Sequence, residues 1–261
     1  MLPRDEMIHW LFDVFAWLLE SFGGSSRLQG TRLALPTHEF FPVSSRDPRE
    51  RAQQVFDLVK EHAGMSRWPC RLEFWREPSI AEILDGMPHD GTESKGTAGS
   101  IFAREGTKEI VITCNENNLE SPMDLVATLA HEFGHYLLFT ATTPVPGGDE
   151  MHEPATDVSA VFMGFGVFLA NSAFSFQQLD RGALQGWSAR RRGYLGEVEL
   201  SYALAIFACA KALPIKEIRI RLDTNPRSYI KKAAKDIEKR RRADITRLQR
   251  IDEKVPQARS D

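Results

Sequence analysis

His131, Glu132 and His135 stand in the order H-E-x-x-H. On a helix the two histidines lie one turn apart on a common face, so their imidazoles can converge on one point, while Glu132 sits about 100° round the axis. Such a pair supplies two nitrogen ligands to a divalent metal. A catalytic zinc takes three protein ligands and keeps one position open, so a third ligand must come from elsewhere in the chain. Glu153 is the best candidate, because it opens a second apolar segment reached by a short return loop; Asp149, Glu150 and His152 in that loop are the alternatives. Asp157, one turn after Glu153, can accept the free ring N–H of a ligand histidine and fix its tautomer. Glu132, off the metal, can take a proton from a water that the metal activates and pass it to a leaving amine. The developing oxyanion needs a donor. Tyr194, Arg191, Arg192 and Tyr136 offer one, and Tyr194 is preferred because G-Y-L sits in a loop that could close over the metal.

These roles require two buried helices. Residues 121–140, S-P-M-D-L-V-A-T-L-A-H-E-F-G-H-Y-L-L-F-T, begin with an N-cap serine, a proline at the first helical position and Asp124 to complete a capping box. From Leu125 to Phe139 the run is mostly apolar, too short to span a bilayer and suited to a helix buried on most sides. Residues 141–152 carry Pro144, Pro146 and a glycine pair, so the chain must turn back there. Residues 153–171 are then apolar almost all round, with Glu153 and Asp157 one turn apart on one face. Carboxylates in such surroundings need a cation or a donor, since leaving one unpaired costs several kcal/mol. Pro154 places Glu153 at the start of its helix, which makes its reach the open question of the site.

H-E-F-G-H followed by E-P-A-T-D resembles the gluzincin group of zinc metallopeptidases, which includes the thermolysin-like enzymes. The resemblance covers roughly residues 121–171. It implies a zincin-like fold, zinc as cofactor, His131, His135 and Glu153 as ligands, Glu132 as general base, Asp157 as the orienting carboxylate, and a peptide or protein as substrate. The wider wording, A-T-L-A-H-E-F-G-H-Y-L-L with T-D-V-S-A-V-F-M-G-F-G-V-F-L-A-N-S, is also similar to a group of bacterial proteins that brings no substrate with it.

The remaining chain sorts into three parts: residues 1–30, an N-terminal helix rich in Trp and Phe with a glycine-bounded linker; residues 31–214, the metallopeptidase domain; and residues 215–261, a basic C-terminal helix and tail. In the middle part, residues 48–63 space apolar side chains as a packing helix. Strands are expected at 71–76, 100–104 and 109–113, the last two joined as a hairpin by E-G-T-K. A further core helix runs from 197 to 213. A small antiparallel sheet followed by a helical bundle makes an α+β domain. Either hairpin strand could align a substrate backbone.

The chain has 261 residues, 42% hydrophobic and 26% charged, with a net charge of −3. This is the composition of an ordinary globular protein, and the charge argues against nucleic acid as the principal partner without excluding a local basic patch. Cys70, Cys114 and Cys209 are odd in number and widely spaced, with no C-x-x-C, which suggests neither a disulfide framework nor a thiolate zinc site and fits a reducing cytoplasm. The apolar run at 8–19 lacks the basic flank and cleavage site of a signal peptide. A non-catalytic reading stands beside the enzymatic one: zinc tying two buried helices in a binding or regulatory module. Glu132 favours the enzyme, because a structural site has no use for a base beside the metal.

Overall fold

The first helix, α1 (Asp5–Ser21), carries Asp5 and Glu6 in its first turn, where the helix dipole favours acids. Its apolar residues leave it little polar face, and Ile8, Leu11, Val14, Phe15, Leu18 and Leu19 are completely buried. The computed structural model describes residues 1–76, 99–103, 110–116, 119–173 and 195–252, and statements of absence below concern these residues. The stretch expected as a linker is instead a short helix, α2 (Gly24–Gly30). Gly23 and Gly24 take positive φ to turn the chain, and Leu28 is then buried in the core. Helix α3 (Pro48–His62) starts where sequence chemistry says it should: the Asp47 side chain accepts the Glu50 N–H and Pro48 occupies the first turn.

Three strands follow, β1 (Cys70–Trp75), β2 (Gly99–Ala103) and β3 (Ile110–Asn115), in the order β1-β3-β2. The expected antiparallel sheet is in fact mixed. β2 and β3 pair antiparallel, with Ile101 opposite Ile112, but β1 runs parallel to β3, with Leu72 opposite Ile112. Every residue of β3 is buried, so it occupies the centre and cannot serve as an edge strand for a substrate. The connection expected as an E-G-T-K turn lies outside the described residues.

Helix α4 (Pro122–Phe139) is followed by a single 3₁₀ turn at Asp149–Met151 and then by α5 (His152–Ala160), which continues through a π-helical turn at Val161–Phe165 to residue 173. The span Asp149–Ala173 is long and apolar enough to cross a membrane, but 94% of its most apolar window is buried inside the protein. Gly164 explains the π turn. Its φ is +99°, and a Cβ there would lie 2.2 Å from the Arg32 carbonyl oxygen. Its own carbonyl accepts the Ala34 N–H at 2.9 Å, so the extended segment after α2 docks directly against the kink. Gly164→Ala combines a left-handed backbone with a backbone clash. It is expected to destabilise the fold by at least about 2 kcal/mol, read as a lowered urea midpoint in chemical denaturation.

Helix α6 (Glu197–Ala210) is buried on nearly all sides; α7 (Ile215–Arg219) packs on α8 (Thr224–Arg240), and α8 and α9 (Arg242–Leu248) close over α6. The single C-terminal helix expected from the sequence is broken at Arg241. Ile230, Ala233 and Ile237 face inward from α8, and Asp236 is buried because it accepts the Tyr202 hydroxyl at 2.8 Å and pairs with Arg240. Buried apolar side chains from Ile8 to Leu248 form one continuous core, to which α1 and the C-terminal helices both contribute. Helices dominate around a small sheet, and the class is α+β.

Candidate metal centre

Helix α4 starts as its sequence dictates, with the Asp124 N–H donating to Ser121 Oγ at 3.3 Å. That fixes the register of the apolar run behind it and brings His131 and His135 to one face, their ring centroids 4.7 Å apart and their planes nearly perpendicular. Opposite them stands the first turn of α5. The return loop between these helices is clasped from α1: the Trp10 indole N–H donates to the Pro146 carbonyl and the Trp17 indole N–H to Thr143 Oγ1, both at 2.8 Å. Gly147, at φ +90°, has no room for a side chain, since a Cβ would lie 2.7 Å from Met151 Cγ.

The two helices touch where Gly134, inside H-E-F-G-H, faces Thr156. A Cβ on Gly134 would lie 2.8 Å from the Thr156 carbonyl oxygen, so this glycine is accepted mid-helix, despite its cost of about 1 kcal/mol there, for close approach. With the helices this close, Glu153 reaches. Its Oε2 lies 3.3 Å from His131 Nε2 and 3.4 Å from His135 Nε2, and the three ligand atoms all fall within 4.8 Å of one another. Pro154 does not prevent this, because the proline sits within the first turn of α5, where no helical N–H bond is lost. His131, His135 and Glu153 could therefore hold a metal ion.

The far nitrogens of both rings are also engaged. His131 Nδ1 lies 2.9 Å from Asp157 Oδ1, and the other carboxylate oxygen of Asp157 accepts the Leu195 N–H at 2.7 Å. His135 Nδ1 lies 3.3 Å from Thr156 Oγ1, whose own proton goes to the His152 carbonyl at 2.9 Å, so the hydroxyl accepts from the ring. Each ring is thus anchored through its Nδ1–H, which leaves both Nε2 atoms facing the point where Glu153 also arrives, where a cation would replace any proton they carry. Thr156 is a partner that the sequence reading missed. Its signal was present, since it lies in E-P-A-T-D three residues after Glu153 on the same face.

Electrostatics agree with this geometry. Burial disfavours charge on His131, but hydrogen bonds to Asp157 and Glu153, with the nearby Glu132, outweigh it and raise its pKa to about 10. Burial works against the Glu153 carboxylate too, yet His131 and His135 hold its pKa well below the usual range. Three acids surround the two rings, and a proton on His131 balances part of the charge that a cation would balance. Glu132 is 5% exposed; its Oε2 has no hydrogen-bond partner among the described residues, and burial pushes its pKa up against the pull of His131 and His135. Cys114 on β3 is also buried, and burial together with the Glu132 charge raises its thiol to about 12, which makes it inert.

Other candidates fall differently. Tyr194, Arg191 and Arg192 lie outside the described residues. Tyr136 is a packing residue, its hydroxyl donating to the Pro69 carbonyl at 3.2 Å and its ring set edge-on to Trp68. His152 stacks on His135, with centroids 5.5 Å apart, but neither it nor Asp149 or Glu150 joins the converging set.

No family model, curated protein or solved structure matches the chain. The site therefore has to be read from its own atoms. One consequence is measurable at Asp157: an asparagine has one acceptor oxygen to serve both His131 and Leu195. Asp157→Asn is expected to lower metal affinity about 10- to 100-fold in a competition titration with a chromophoric chelator.

Proposed function

We propose that the protein is a zinc-dependent hydrolase of the gluzincin type with a zincin-like arrangement of its helices, acting as a metallopeptidase. The observation that carries the zinc reading is a spacing. An ion about 2.1 Å from ligands at the corners of a tetrahedron sets those ligands about 3.4 Å apart, and the Glu153 oxygen lies 3.3 Å and 3.4 Å from the two imidazole nitrogens. Two neutral imidazoles and one carboxylate also match the borderline softness of zinc better than the all-oxygen preference of calcium or magnesium.

When bound, zinc supplies Lewis-acid polarisation and lowers the pKa of water towards 7. The chain contributes the rest. Glu132 is the proton acceptor: it follows a ligand directly, it is shielded from bulk water, and its Oε2 has no described hydrogen-bond partner to compete for it. Having taken a proton, it can deliver it to a leaving amine. Glu153 is 44% exposed at its side chain, so the centre opens on that side, where a substrate can approach. Strand β2 lies at an edge of the described sheet and is the element suited to pair with an extended peptide. The three free cysteines suit a reducing compartment, and we place the protein in the cytoplasm.

The test is a peptide library incubated with the zinc-loaded protein and followed by mass spectrometry. Cleavage is expected, with loss on chelation and recovery on adding about one equivalent of zinc. A protein that binds zinc, gains thermal stability from it and cleaves nothing would be the non-catalytic module instead.

A further inference from the structure

Residues 215–250 hold 13 Lys and Arg against 5 Asp and Glu, a balance of +8 in a chain whose total is −3. The excess is concentrated on the outer face of α8. Arg227, Lys231, Lys235 and Lys239 are all exposed and follow one another at intervals of four residues, opposite the face that Ile230, Ala233 and Ile237 bury. Lys231, Lys235 and Lys239 form no ion pair among the described residues. The Arg227 guanidinium donates to the Leu222 carbonyl, a neutral partner. Glu238, which shares this face, leans towards Arg242 at 4.0 Å. Like charges at i and i+4 weaken a helix, whereas alternating signs would strengthen it, so folding alone does not favour this row.

We propose that the outer face of α8 is a docking surface for the phosphate backbone of double-helical nucleic acid, read without regard to sequence. Successive members of the row are about 6 Å apart, and the row is about 18 Å long. A duplex strand carries one phosphate per about 3.4 Å of axis and winds as it rises, so the four cations of the row can meet at most about four phosphates. Single strands are held on exposed aromatic platforms. The aromatic residue in this region is Tyr229, and it is half-buried. A bilayer would need an apolar face to insert, and that of α8 is occupied by the core, leaving exposed Ile220 and Met1, whose amino group meets Lys232, as single residues and not a face. The surface is independent of the metal centre and of the reaction assigned to it.

The test is fluorescence anisotropy of the full chain with a labelled duplex of about 20 base pairs in two unrelated sequences. Binding is expected to be equal for both. It should weaken about 10²-fold between about 50 mM and about 200 mM salt, the dependence of about four phosphate contacts. Lys231→Glu, Lys235→Glu and Lys239→Glu together should reduce affinity at least about tenfold at the lower salt while peptide cleavage and metal content stay unchanged. The matching Lys→Gln triple variant, which leaves no new charge, should show an intermediate loss and serves if the first variant fails to fold. Absence of binding at low salt, or unchanged binding in a folded variant, overturns the proposal. So does equal or tighter binding of anionic phospholipid vesicles or polyglutamate, or salt-sensitive self-association in sedimentation that the triple variant abolishes.

Discussion

Glu132→Gln is expected to keep one metal per chain and to lower turnover of any cleaved peptide about 10²- to 10⁴-fold. The amide has the shape of the carboxylate and sits in the same buried place, so α4 and the two ring nitrogens should not move. What it lacks is basicity. The Glu132 carboxylate is 5% exposed and flanked by the two imidazoles. Burial raises its pKa, and the two imidazoles pull the other way. The loss should appear in kcat far more than in KM, because the role proposed for Glu132 is proton transfer and not substrate binding. Metal content by atomic emission and turnover by chromatography measure the two halves. Retained turnover within about tenfold of the wild type would remove Glu132 from the reaction.

Glu153→Ala should empty the site. It removes the oxygen that lies 3.3 Å and 3.4 Å from the two ring nitrogens, and the remaining histidine pair is a two-ligand site. The expected loss of zinc affinity exceeds the roughly 10- to 100-fold cost of losing an orienting partner, so dialysed protein should retain almost no metal. Because Glu153 is 44% exposed, the fold should tolerate the change well. His131→Ala should also lose the metal, and there the fold suffers too, since it leaves the buried Asp157 carboxylate without its ring partner. The contrast separates ligand from scaffold. Full zinc occupancy in Glu153→Ala would transfer the third position to another residue of the return loop.

That His131 and His135 share a face was readable from helical spacing, and Glu153 and Asp157 were the best of several acidic candidates for the facing positions; the structure brings these four together. Thr156 was legible in principle but has no charge to draw attention to it. What could not be read were relations between distant segments. The parallel pairing of β1 with β3 has no turn signature, whereas the antiparallel β2–β3 pair does. The π turn at Gly164 looks like uninterrupted helix in V-F-M-G-F-G, and its cause, the Arg32 carbonyl, lies far upstream. The glycines before α2 suggested a linker because positive φ both ends helices and starts them. Placement of Tyr194 was a guess from loop composition, and it lies outside the described residues.

The two indole clasps also order events in folding. The α4–α5 contact at Gly134 and Thr156 that brings Glu153 to the histidines is close in sequence, but the return loop between these helices is clasped by Trp10 and Trp17, 136 and 126 residues away from their partners. Contacts of such separation form late, after the entropy of closing a long loop has been met. On the zinc reading proposed above, the ordering of that loop, and with it full metal affinity, is expected among the last steps of folding. Zinc uptake during refolding should lag behind the recovery of helical circular dichroism.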